Sequence, residues 1–239
     1  MQRGQRMECA SLGPSVRGKR RAGGFTLIEA AVVIAIIGIV TASALPNVSR
    51  YWEATEARAA AKSVADAFNV ARAQAIRTGN NQLVFFSVGG AGDTAGTALQ
   101  DANGDGVPIL VLDDGQPGSV NQNCEIDSGE NTITFPEPTG VGWGANVPTS
   151  AQTPPNELRS TIPASGSSFE MPNGTLTTWV MFRPDGVPVA VDASCNPGRL
   201  GTGGGTIYLW TTNRDFAVTL SPLGGVRVHL WNPGGGWTS

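Results

Sequence analysis

The chain has 239 residues with 16 basic and 19 acidic side chains, a formal net charge of −3, one histidine and three cysteines. That length leaves room for one domain beyond an anchor. The acid excess argues against a general phosphate-neutralising nucleic-acid binder, and a single histidine excludes a histidine-rich metal centre.

The first segment is basic. Residues 1–24 carry Arg3, Arg6, Arg17, Lys19, Arg20 and Arg21 against the single acid Glu8, and Met7 offers a second start. From Phe25 to Leu45 the sequence is apolar, with Glu29 its only ionisable side chain. A run of about 20 such residues is long enough to cross a bilayer core as a helix. The basic flank keeps the N-terminus cytoplasmic by the positive-inside rule, so everything after Leu45 is expected to be exported. A carboxylate inside a membrane-length helix is costly and marks a functional position.

Gly23-Gly24-Phe25-Thr26-Leu27-Ile28-Glu29 ahead of a long apolar helix resembles the class III signal of type IV pilins and type II secretion pseudopilins. Ala30 stands where members often have Leu. The resemblance implies that a prepilin peptidase cuts between Gly24 and Phe25, that Phe25 is N-methylated, and that the helix stays as membrane anchor and later as filament core. The new amine at Phe25 then lies four residues from Glu29. In a filament, the Glu29 carboxylate of one subunit can neutralise the amine of the next, which would set axial register because an unpaired buried charge costs several kcal/mol. The rival is an ordinary secretory signal cleaved after Ala44, at Ala42-Ser43-Ala44, which would release a plain secreted β domain; Arg20-Arg21 also permits a twin-arginine reading. Glu29 and the length of the apolar run speak against both.

Pro46 is expected to kink or loosen the helix. From Asn47 to about Gly79 a second, exported helical stretch follows. Ala57, Ala61, Val64, Phe68, Ala71 and Ala75 recur at three- and four-residue spacing and form one apolar stripe, while Arg58, Lys62, Asp66, Asn69 and Arg72 occupy other faces. Gly79-Asn80-Asn81 is a stop signal. The run Ala71-Arg72-Ala73-Gln74-Ala75-Ile76-Arg77, followed at once by the strand Gln82 to Phe86, is similar to the GspH/FimT group of pseudopilins and minor pilins.

Residues 80–239 read as a β-rich head. Its 32 glycines and 16 prolines across the chain fit loops between recurring apolar strands rather than disorder. Strands are expected at Pro108–Leu112, Thr132–Phe135, Thr177–Phe182, Val187–Val191, Ile207–Thr211, Phe216–Leu220 and Val226–Trp231. Pro184-Asp185-Gly186, Asn213-Arg214-Asp215 and Ser221 to Gly225 are the turns between them, so the last three strands form an antiparallel meander packed on the helix. Phe182-Arg183-Pro184-Asp185-Gly186 and the closing stretch from Val218 to Val228 again resemble the GspH/FimT domain. Gly140 to Gly174 reads as a long variable loop, with Trp143 as a loop anchor or a partner contact. The fold class expected is α+β and pilin-like: a long N-terminal helix, part anchor (25–46) and part amphipathic (47–79), packed on an antiparallel β-rich head.

Cleavage after Gly24 would remove Cys9 together with six basic residues and one acid, leaving 10 basic and 18 acidic residues, a net charge near −8. Cys124 and Cys195 then remain in an oxidising compartment and are expected to form one disulfide, adding about 3–5 kcal/mol in the chain-entropy model; the alternative is two unpaired buried thiols.

Asp101, Asn103, Asp105 and Val107 match the first half of a calcium loop, with Asp113 or Asp114 in place of the absent twelfth-position Glu, which is Leu112 here; the alternative is a turn stabilised by its own side chains. Arg214 and Arg227, with Arg199, are the candidates for a DNA-binding element of the kind associated with some FimT-type minor pilins, but the aligned stretch Gly224 to Arg227 retains one arginine. His229 alternates with apolar strand residues, as a structural or surface histidine does. No nucleophile–base pair, P-loop or histidine cluster is present, so an enzyme and a required cofactor are not expected. The resemblance implies a structural subunit of a type II secretion pseudopilus, or alternatively a type IV pilus minor pilin in pilus assembly or DNA uptake. Its partners would be other pseudopilins or minor pilins, a prepilin peptidase and an inner-membrane assembly platform.

Overall fold

A computed structural model describes residues 26–86, 109–120, 122–124, 130–135, 141–147, 151–212 and 214–239, with backbone alone at 43–47, 49 and 50. The chain divides into two compact units, Met1–Leu45 and Pro46–Ser239. One helix, α1 (Leu27–Thr78), contributes to each. Helical backbone passes Pro46, so the loosening expected there does not end the helix. It stops after Thr78, where the Gly79 N–H donates to the Ala75 carbonyl.

The second unit is a helix covered by β-structure, and the reason lies in the helix sequence. Ala57, Ala61, Val64, Phe68, Ala71 and Ala75 are all fully buried. Most of the stripe is alanine, and Phe68 fills the space that alanine leaves. Its ring lies 5.3 Å from Phe86, 5.8 Å from Phe169 and 6.4 Å from Phe182, in edge-on and tilted arrangements that suit the ring quadrupoles. Arg58, Lys62 and Asn69 are exposed on the opposite side.

Ten strands occur among the described residues: β1 (Gln82–Phe86), β2 (Ile109–Asp113), β3 (Thr132–Phe135), β4 (Gly142–Trp143), β5 (Trp179–Phe182), β6 (Pro188–Val189), β7 (Gly205–Trp210), β8 (Asp215–Leu220), β9 (Val226–Asn232) and β10 (Gly236–Thr238). They form two antiparallel sheets, in the orders β3-β2-β1-β5-β6 and β10-β9-β8-β7-β4. Alternation decides the layers. Val84 and Phe86 of β1 join the helix core, while Leu83 and Phe85 face a second cluster with Leu112, Met181 and Cys195. The central strands β1, β2 and β5 are therefore buried on both faces, while the edge strand β3 is largely exposed. In the second sheet Ile207, Leu209, Phe216, Val218 and Leu220 face the helix core. The expected α+β architecture is present, and so is the meander β7-β8-β9, which continues into β10.

Three expectations change. The strand foreseen at Val187–Val191 is only Pro188–Val189, because Val191 turns to a lone bridge with Pro197. The short strand β10 was hidden by its glycine-rich surroundings. The region 140–174 is not a detached loop: Gly142 and Trp143 pair with Trp210 and Leu209, Ser167 bridges Ile207, and Phe169 is in the core. Trp143 packs on that core and so acts as an anchor. Gly142 is required there, since a Cβ would lie 2.4 Å from the Trp210 indole nitrogen.

The three segments that carried the head's resemblance meet at one residue. Arg72 of α1 donates a 2.9 Å hydrogen bond to the Gly224 carbonyl in the β8–β9 turn. Gly186 of the β5–β6 turn has φ of 74°, and a Cβ there would fall 2.7 Å from Ile76 and 3.3 Å from Arg72. The helix thus holds one turn from each sheet. Truncation of Phe68 to Ala should destabilise the head by about 3–5 kcal/mol, measured by urea unfolding of the detergent-solubilised chain followed by tryptophan emission; a loss below about 1 kcal/mol would contradict this packing.

Candidate functional site

The N-terminal motif is built by local chemistry. Thr26 precedes the first helical residue, and its Oγ1 accepts the backbone N–H of Glu29 at 3.3 Å, while its carbonyl accepts the N–H of Ala30 at 3.1 Å. Thr26-x-x-Glu29 is thus a capping-box sequence in which the threonine half is formed. Glu29 is an acid in the first turn, where the helix dipole favours negative charge. Glu29 thus has a local role beside the inter-subunit one expected of it, and the Thr-x-x-Glu spacing alone displays that capping pattern. Glu29 is exposed, and no hydrogen bond or ion pair to its carboxylate is present among the described residues. Gly24 and Phe25, the expected cleavage and methylation positions, lie outside the described residues.

Beyond Glu29 every large apolar side chain from Leu27 to Val40 is exposed, Leu27 to 89% and Ile39 to 72%. They point in all directions around the helix, as the 3.6-residue period requires. A helix apolar on all sides belongs in a lipid or protein interior. Among the described residues no helix is long and apolar enough to cross a membrane; the apolar run of the sequence continues through 43–45, whose side chains lie outside that set.

On the head, Cys124 and Cys195 form a disulfide across 71 residues. Both have left-handed backbone, φ 58° and 62°, a conformation that costs non-glycine residues energy and persists where surroundings over-determine it. Asp114 supplies part of that hold. It is fully buried, its Oδ1 accepts the N–H groups of Cys124 at 2.8 Å and Asn123 at 3.3 Å, and its Oδ2 lies 3.4 Å from Cys195 Sγ. Burial pushes its carboxyl up to about 7, helped by Glu130 and Asp113 and opposed by the two N–H groups. Asp114, Cys124 and Cys195 are close enough to suggest a metal site, but sulfurs joined in a disulfide are not thiolate ligands.

Asp101, Asn103, Asp105 and Val107 lie outside the described residues. Asp113 is occupied structurally: its Oδ1 accepts Asn80 Nδ2 at 2.8 Å and the Gly115 N–H at 3.4 Å. Arg214 and Arg227 are both exposed but not brought together. Arg227 pairs opposite Thr219, near one end of β8, and Arg214 flanks Asp215 at the other, a separation of about 16 Å along the strand. His229 is fully buried, and neither ring nitrogen has a partner among the described residues. Burial, then the Arg227 charge, lowers its pKa, so the imidazole is neutral. It is a packed core residue rather than a base.

Comparison with known proteins agrees with the motif. Residues 19–45 match the family described as the prokaryotic N-terminal methylation motif. No curated protein matches the chain. Among solved structures, the minor pseudopilin EpsH from the type 2 secretion system of Vibrio cholerae is similar, at 14% identity over 75% of this chain and 98% of that chain, with a TM-score of 0.34; a likeness that loose carries no argument about this chain.

Asp114 makes a pH prediction. The folded state keeps the Asp114 proton up to about pH 7, whereas the unfolded chain releases it near 3.8. The stability this contributes is full below the unfolded value and is lost as pH rises through the folded one. Asp114→Asn, whose amide oxygen can still accept both N–H groups, should therefore gain in melting temperature relative to the unaltered protein between pH 5 and pH 8. Parallel melting curves for the two proteins across that range would contradict the assignment. The chain is an α+β protein whose residues 19–45, at the head of its helix, match the prokaryotic N-terminal methylation motif.

Proposed function

We propose that this chain is a GspH-like minor pseudopilin, a structural subunit that assembles through α1 into the periplasmic filament of a type II protein secretion system. The observation that carries the reading is the methylation motif opening a helix whose large apolar side chains from Leu27 to Val40 are all exposed. Such a surface needs lipid before assembly and neighbouring helices after it. Glu29 is exposed at the start of that surface, which supports a role in meeting the N-terminal amine of an adjacent subunit once Phe25 is freed. In this reading a prepilin peptidase cleaves after Gly24 and methylates Phe25, an inner-membrane platform assembles the subunits, and the head projects into the periplasm.

The work is assembly rather than catalysis. A role in DNA uptake, as in the type IV minor pilin alternative, is less well supported: Arg214 and Arg227 stand at opposite ends of β8, and the processed chain would carry a net charge near −8. Neither property suits the many phosphate contacts that DNA affinity requires.

Two measurements test the reading. Mass spectrometry of the mature N-terminus is expected to find N-methylated Phe25; an N-terminus at Leu45 would instead identify a cleaved signal peptide and a free secreted domain. Glu29→Val should leave insertion and processing intact while reducing recovery in sheared filaments at least about tenfold, as loss of a buried ion-pair partner of several kcal/mol implies. Wild-type incorporation of that variant would overturn the Glu29 role.

A further inference from the structure

A cleft of about 440 Å³ opens between the 151–155 strap and the C-terminal hairpin, lined by Trp231, Trp237, Pro155, Gln152, Thr153 and the Gly234–Gly236 turn. Its volume is in the range of small-ligand sites. Its two tryptophans are held in place. The Trp237 indole N–H donates to the Gln152 carbonyl at 2.8 Å, and the Trp237 ring stands edge-on to Trp231 at 5.4 Å and tilted against Tyr208 at 6.0 Å. Tyr208 is itself fully buried. The aromatic wall is therefore rigid before any ligand arrives, which lowers the cost of ordering it on binding.

The lining selects by chemistry. Among the described residues no ionisable side chain faces the cleft, so a charged ligand would be desolvated without a partner. A purely apolar ligand would cover the Gln152 side-chain amide and the Thr153 hydroxyl, leaving those donors and acceptors unsatisfied. A ligand that fits both walls is neutral, carries many hydroxyls and presents C–H faces. Tryptophan faces are electron-rich and attract such C–H groups.

The geometry points to a binding site for a neutral saccharide, a short oligosaccharide with a pyranose ring stacked on the Trp231–Trp237 wall and its hydroxyls on Gln152, Thr153 and the glycine turn. The site does not depend on the filament reading, since it lies wholly on the head. A proline-rich peptide is the other ligand an aromatic groove attracts, but the Trp237 N–H that would read its backbone is already bonded to Gln152.

The test uses the full chain in a polyoxyethylene detergent, because sugar-headed detergents would compete. N-acetylglucosamine trisaccharide, cellotriose, maltotriose and a decaproline peptide are titrated, read by tryptophan emission and by ligand-observed NMR. At least one trisaccharide is expected to saturate below about 10 mM. Trp231→Ala should weaken it at least tenfold. Gly235→Leu should do the same while keeping the melting temperature, since a Cβ at Gly235 meets only Asn232, at 3.8 and 3.9 Å. Absence of saturation by all three trisaccharides, binding of the peptide alone, or equal saccharide binding by the Trp231→Ala protein would overturn the assignment.

Discussion

The head depends on one constraint: the buried stripe of α1 is made almost entirely of alanine. Ala57, Ala61, Ala71 and Ala75 share one core with residues of both sheets, and Phe68 is the large side chain that fills its middle. Its contacts reach Phe86 and Phe182 of the first sheet and Phe169 of the connecting segment, while Leu209 and Val218 of the second sheet belong to the same core. Both sheets are thereby referred to a single helix. Arg72, one residue beyond Ala71, hydrogen-bonds the β8–β9 turn of the second sheet with its guanidinium, and the β5–β6 turn of the first sheet packs beside it at Gly186. A wider apolar stripe would bury more area per residue and hold the sheets further out.

The same chain contains a helix segment of the opposite kind. From Leu27 to Val40 the large side chains are exposed on every side, which no water-surrounded helix sustains as a resting state. The capping contact of Thr26 with the Glu29 N–H explains how a threonine and a glutamate at this spacing start the helix cleanly. Two requirements thus converge on the same few residues: local initiation of the helix and, in the proposed filament, recognition of a neighbouring terminus. The methylation motif matched over residues 19–45 lies across both.

On the far side of the first sheet the disulfide and Asp114 act as one device. The bridge joins segments remote in sequence, and the buried carboxylate holds the strained backbone at Cys124 through two N–H groups. The electrostatic cost of that burial falls on Asp114, which retains its proton to about pH 7. The bridged cysteines pack on the apolar cluster that β1, β2 and β5 present on this side.

Much of this was legible in the residues. Helical periodicity named six of the eight helix residues in the core, Ala60 and Ala67 being the other two; alternation and turn chemistry located the strands from β1 to β9 apart from β4, and the leader, Glu29 and the apolar run defined the N-terminal motif, because each signal is carried by neighbours in sequence. What the tertiary structure alone decided involves partners far apart in the chain. Gly142-Trp143 lacks any strand alternation and becomes β4 only because Trp210 lies over Gly142. Asp114 was read as a spare ligand beside Asp113, and only the fold buried it beneath a disulfide 81 residues from its farther cysteine. Arg214 and Arg227 are 13 positions apart in sequence, and strand register sent them to opposite ends of β8. The sequence by itself determined the helix, its two chemically different segments and the motif that opens it, since these are local and periodic; the fold decided which polar groups are buried, paired or left facing a cleft, since that depends on what packs against them.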